Sequence, residues 1–160
     1  MLDAINQLEC KQTKNIGEDV YQSIKSEMQK KDITANKLNK TGLHKILQYI
    51  GYNEYHDVHK IYYEITKKTP ISLSQWTTEI MQDHMLYQRT YDQIKSKEKS
   101  NAQNKFYKLL RMCIRRSGFV PRKDDWFMIE EKIPLYEEDA KKICKKLGWE
   151  FIELIFTDFL

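Results

Sequence analysis

The sequence predicts a mainly α protein: a compact single-domain bundle of about five to six helices, with a short strand-like C-terminal segment as a variant. Three observations predict it. Apolar residues recur every three to four positions along most of the chain, the spacing of one helix face. Only five glycines and three prolines are present, too few for the tight turns of a sheet-rich fold. The residues that stop helices, Gly51, Pro70, Gly118 and Gly148, fall where the apolar period stops.

Taken in order, Val20, Ile24 and Met28 predict a first helix that starts near Gly17 and fades at Lys30–Asp32. Residues 1–16 are expected as a loosely ordered arm of the single domain 1–160. Thr34 or Thr41 caps the second helix, which carries Leu43, Ile46, Leu47 and Ile50 and ends at Gly51. The stretch from Tyr52 to Tyr63 opens a third helix that ends before Pro70. Ser72 or Ser74 caps a long fourth helix, on which Trp76, Ile80, Leu86 or Tyr87, Tyr91 and Ile94 keep the period. After the polar joint around Lys95–Lys105, a fifth helix runs from about Asn104 to Ser117. Residues 119–134 lack a clean period. In the last helix, which begins near Leu135, acids in the first turn and lysines in the last match the helix dipole.

Composition excludes several classes. Ten tyrosines, six phenylalanines and three tryptophans argue against disorder, because such a chain can bury a core. No apolar run reaches the roughly 18 residues of a membrane span, and the first residues carry no basic leader followed by an apolar block, so neither membrane nor signal peptide is expected. Three widely spaced cysteines suit free thiols, and no CxxC pair is present to build a zinc ribbon.

His56 and His59 stand three apart among four tyrosines, a spacing at which two imidazoles can share a metal. Two ligands are too few, and Asp57 points about 100° away from His56 on a helix. The expectation is therefore no metal and no cofactor, with Tyr55, Val58, Ile61, Tyr62 and Ile65 in the core and the histidines at its boundary. There is no GxSxG elbow, GxxxxGK[ST] loop or GxGxxG turn. The acid clusters Glu130–Glu131 and Glu137–Asp139 read as solvated groups near helix starts. No enzyme is expected.

Charge is unevenly spread. Lys95 to Lys123 holds ten basic residues against one acid, while the rest of the chain holds seventeen against twenty-two. At about 100° per residue, Phe106, Leu109, Leu110, Cys113 and Ile114 share one arc of the fifth helix, and Lys105, Lys108, Arg111, Arg115 and Arg116 share the opposite arc. Arg122 and Lys123 follow, and Lys95, Lys97 and Lys99 precede. These seven residues, Lys105, Lys108, Arg111, Arg115, Arg116, Arg122 and Lys123, are the candidate site for nucleic acid or an acidic partner, since spaced cations neutralise successive phosphates. The competing reading is a solvated face paired with acids elsewhere, Glu130 and Glu131 being the candidates. The apolar tail (Trp149, Phe151, Ile152, Leu154, Ile155, Phe156, Phe159, Leu160) either folds back as the last core element or docks on a partner or a second copy.

The order of a tyrosine-rich helix (Tyr52–Ile65), a proline-bearing link, a long acidic helix, then "NKFYKLLRMCIRRSG" and "CKKLGWEFI" resembles the late transcription factor 3-like proteins of poxviruses and other large nucleocytoplasmic DNA viruses, over roughly Gly17 to Ile155. The "NKFYKLL" and "LGWEF" stretches are its more specific parts. The resemblance implies a factor for viral late-gene transcription, or an accessory to it, that contacts DNA, a viral RNA polymerase or other transcription factors, in the host cytoplasm or in the virion. Members usually carry a cysteine-rich zinc-binding segment ahead of the helical domain; this sequence shows none, which leaves three readings open: the helical domain alone, a shortened paralogue, or a protein that borrowed the domain for another use. The alternative class is a virion structural or protein-interaction module, including a homo-oligomer, that uses the apolar tail.

Overall fold

The computed structural model describes residues 1–95 and 103–157, all but the side chain of Glu130; Lys97, Lys99, Phe159 and Leu160 of the sequence reading therefore lie outside the described residues. Among these residues there are seven α-helices and no strand: α1 (Leu2–Leu8), α2 (Glu18–Lys30), α3 (Lys40–Tyr49), α4 (Val58–Thr66), α5 (Thr77–Lys95), α6 (Lys105–Ile114) and α7 (Ile133–Leu147). The mainly α class is as the sequence predicts. Where a loose arm was expected, the N-terminal segment instead carries α1, because Ala4, Ile5 and Leu8 step along one face and are buried.

By contacts the chain divides into two compact units, Ile5–Ser72 and Met1–Ala4 with Leu73–Leu160. In the first, α3 packs with α2 and α4. Asn39 caps α3: its extended backbone turns the side-chain oxygen onto the Gly42 N–H at 2.7 Å. Neither Thr34 nor Thr41 does this, since Thr41 already lies inside the first turn. Gly51, at a φ of +83°, ends the segment as read. The tyrosine-rich stretch becomes helical later than expected. A 3₁₀ turn over Tyr55–Asp57 comes first, and α4 follows from Val58.

In the second unit α5 packs with both α6 and α7. Its buried face is Ile80, Tyr87, Thr90, Tyr91 and Ile94, so Tyr87 holds the position that the period left open and Leu86 is exposed. The entry to α6 is tied down by Gln103. Its N–H donates to the Tyr91 hydroxyl (2.9 Å), its Oε1 accepts from the Tyr87 hydroxyl (2.8 Å), and its side-chain amide donates to the Tyr136 carbonyl (3.1 Å). Asn104 then caps α6 by accepting the Phe106 N–H at 2.8 Å. At the end of α7, Gly148 sits at a φ of +71°. Its N–H reaches the Lys145 carbonyl while the Trp149 N–H reaches that of Cys144, the paired bonds of a Schellman stop. The tail that leaves this stop is neither strand nor helix over the described residues. It folds back within its own unit: the Ile152 carbonyl accepts from Arg111 at 2.5 Å, and the Thr157 N–H donates to the Pro121 carbonyl at 3.1 Å.

Candidate functional site

The candidate surface is built on α6, and burial decides its character. Phe106, Leu109, Leu110 and Cys113 point inward as the helical pitch predicts, but Tyr107, Arg111 and Met112 are buried as well. A helix covered on most sides cannot leave its cations in water, so each must find an acceptor or a ring. Arg111, whose side chain is 4% exposed, is the most committed. Its Nε donates to the Tyr107 hydroxyl (2.8 Å), Nη1 to the Ile152 carbonyl (2.5 Å) and Nη2 to Glu137 Oε1 (2.6 Å). The Phe151 ring covers the guanidinium at 4.2 Å.

The remaining cations of the arc follow the same rule. Arg116 bridges Glu79 (2.9 Å) and Asp83 (2.5 Å), both on α5. Arg115 shares Asp83 at 3.3 Å and stacks on Trp149 with its guanidinium carbon 3.7 Å from the ring centre. Lys105 pairs with Asp3 at 2.8 Å; this hydrogen bond outweighs partial burial and pulls the Asp3 carboxyl down to about 2. Lys108 donates to Gln88 Oε1 at 2.7 Å and lies 4.9 Å from the Tyr91 ring centre; burial lowers its affinity for a proton.

The expected outward, unneutralised row on Lys105, Lys108, Arg111, Arg115 and Arg116 is therefore corrected. Pitch does gather these residues on one side of α6, but their own unit supplies acceptors there. Those acceptors are Asp3, Glu79, Asp83 and Glu137 for four of the five, in place of the proposed Glu130 and Glu131. The i, i+4 spacing of Glu79 and Asp83 was the readable signal, since it puts both acids on one face of α5. Arg122 and Lys123 are exposed beyond α6.

In the other unit, the two histidines part company. His56 is half-buried with its ring centre 3.9 Å from that of Tyr55, whereas His59 is 0% exposed and belongs to the core rather than its boundary. Asp57 is engaged by the Tyr52 hydroxyl at 2.5 Å and Lys14 at 2.9 Å. Among the described residues no three of His, Cys, Asp and Glu gather as a metal would require. Cys113 and Cys144 are buried free thiols, and burial pushes both up, toward the neutral form.

His59 gives a pH prediction. Burial, and next the nearby Lys40 ammonium, hold its pKa well below the ordinary value; burial likewise lowers that of half-buried His84 to about 4. With folded values depressed, the unfolded chain takes up these protons first as pH falls below about 6.5. The stabilisation is whole above that pH and is lost on the way down. The melting temperature is expected to fall between about pH 6.5 and 5, and His59→Gln to fall less steeply than wild type over the same range. Equal slopes would remove His59 as the cause.

Gln103, Arg111 and the shared acids on α5 thus define a mainly α protein whose polar staples lie inside the fold, with the cations of α6 tied to carboxylates, carbonyls, amides and rings of their own unit. The family of Poxvirus Late Transcription Factor VLTF3 like proteins matches residues 1–151, and the chain belongs to that family, a class of viral transcription factors. No curated protein and no solved structure matches the chain.

Proposed function

We propose that the protein is a non-catalytic accessory of viral late-gene transcription, acting with the viral RNA polymerase or its other factors in the cytoplasmic factory of the infected cell. Membership of the late transcription factor family is the observation that carries this reading. The geometry refines it. Contacts with DNA or polymerase through Arg111, Arg115 and Arg116 require breaking ion pairs that hold α6 to α5 and α7, so these residues serve the fold first. Arg122 and Lys123 of the original candidate set are exposed beyond α6 and are retained as candidate contact residues on that ground alone. Affinity capture of the tagged protein from infected cells, with nuclease added to remove bridging DNA, is expected to recover polymerase subunits or late factors. Recovery of virion structural proteins alone would overturn the reading in favour of a packaging role.

A further inference from the structure

We propose that Phe151–Thr157 is an open strand edge that pairs, antiparallel and centred on Leu154, with the same segment of a second copy of the chain. This inference stands apart from the late-transcription reading. Three observations carry it. The chain runs without turn or bend from Trp149 to Thr157. From Ile152 onward exposure alternates with period two: Ile152, Leu154 and Phe156 are half-buried, while Glu153, Ile155 and Thr157 are exposed. That is the pattern of a strand with one face on a core. Its backbone is also open. Among the described residues no N–H from Phe151 to Phe156 donates a hydrogen bond, and of their carbonyls only that of Ile152 accepts one, from Arg111.

The fold itself does not extend this segment into a sheet. At its end the Thr157 N–H meets the Pro121 carbonyl at 3.1 Å. Proline has no N–H to return, so the ladder stops after one bond. Backbone groups alternate sides along a strand, so those of Ile152, Leu154 and Phe156 point away from the Pro121 side. An apolar edge of this kind is a template for another extended chain. The occupant must bring apolar residues onto the side of Ile152, Leu154 and Phe156, and no acid opposite Glu153, because like charges directly opposite destabilise. The segment itself meets both conditions. With Leu154 opposite Leu154, Ile152 meets Phe156, an aromatic and β-branched pair, and Glu153 meets Ile155. Shifting the centre to Glu153 would set the two carboxylates face to face. The pairing is two-fold symmetric, as most soluble homo-oligomers are, and it brings Ile155, 69% exposed in the single chain, against the Glu153 stem. Backbone pairing exchanges bonds to water for bonds between chains, so the apolar side chains supply most of the net gain and the dimer is weak.

Sedimentation of the whole protein over a concentration series is expected to show a monomer–dimer equilibrium in the micromolar range. Hydrogen exchange at the two ends of that series is expected to slow at the Leu154 and Phe156 amides on dimerisation, with Glu153 and Ile155 changed less. Two substitutions at exposed Ile155 read the register. Ile155→Glu sets an acid opposite Glu153 twice and is expected to weaken the dimer about tenfold or more. Ile155→Lys sets opposite charges there and is expected to stay within about threefold of wild type. The net charge of the chain is +4, so general repulsion would rank these two variants the other way. Ile155→Glu with Glu153→Lys restores an opposite pair and is expected to regain the lost affinity. The side chains are exposed, so melting curves should match wild type; should a variant fail to fold, the exchange data on wild type decide alone. A wild type that stays monomeric throughout overturns the proposal and leaves the edge to a strand of another protein. Equal weakening by Ile155→Glu and Ile155→Lys, larger aggregates in place of a dimer, or a dimer whose tail amides exchange as in the monomer would each overturn it as well.

Discussion

Arg111→Met is expected to lower the stability of the Leu73–Leu160 unit by about 3–5 kcal/mol, the cost of stranding one member of a buried ion pair. The loss has three separable parts. Glu137 keeps a largely buried carboxylate without its guanidinium partner, the Tyr107 hydroxyl loses its donor, and the Ile152 carbonyl loses the donor that holds the tail. Arg111→Lys keeps the charge but not the fork that reaches three acceptors from one plane, so it should recover only part of the loss. The discriminating variant is Arg111→Met combined with Glu137→Leu. Removing both charges removes the desolvation penalty as well, and the double variant is expected to be more stable than Arg111→Met alone. Urea unfolding of the four proteins checks this. A single variant within 1 kcal/mol of wild type would show that the arginine is not the staple its burial implies.

Deleting residues 151–160 is expected to unfold the same unit or bring it close to unfolding. Phe151, Ile152, Leu154 and Phe156 are each half-buried, and half of the usual 1.5–3 kcal/mol per large apolar side chain is about 1 kcal/mol for each. Stranding the Arg111 donor adds about 1–3 kcal/mol. A total of roughly 5–7 kcal/mol rivals the whole stability of a typical domain. The expected observations are loss of the cooperative melt and exposure of Trp149, followed by its fluorescence. A truncated protein that melts as wild type but loses self-association or a viral partner would instead assign the tail to docking, which the exposed Ile155 (69%) keeps as a concrete alternative.

Much of the architecture was legible because helix signals are local. Gly51, Gly118 and Gly148 each adopt the left-handed backbone that their place after an apolar run implied. The acids and lysines of α7 lie at the ends that the dipole favours. Where local reading misplaced a boundary, a neighbouring group outcompeted the residue chosen. Asn39 took the α3 cap because its short side chain reaches back to the third amide of the helix, and Tyr55–Asp57 closed into a tighter turn while Asp57 bonded to Tyr52 and Lys14.

The candidate site was legible only in part. Periodicity gathers Lys105, Lys108, Arg111, Arg115 and Arg116 on one arc, and the structure agrees. It cannot say what stands opposite that arc. The carboxylates that answer Arg111 and Arg116 come from residues 26 and 33 positions away. Tyr107 and Met112, which the predicted apolar arc did not include, are buried as well, because side chains of α5, α7 and the tail meet α6 on more than one side.

By itself the sequence determined that this chain is helical, where its helices stop and which family it joins, since each depends on residues a few positions apart or on their order. Tertiary structure alone decided which cations are spent within the molecule. Charge is neutralised through space, and only the packing of α5, α6 and α7 brings carboxylates to the α6 arginines while leaving the last lysines of α7 in water.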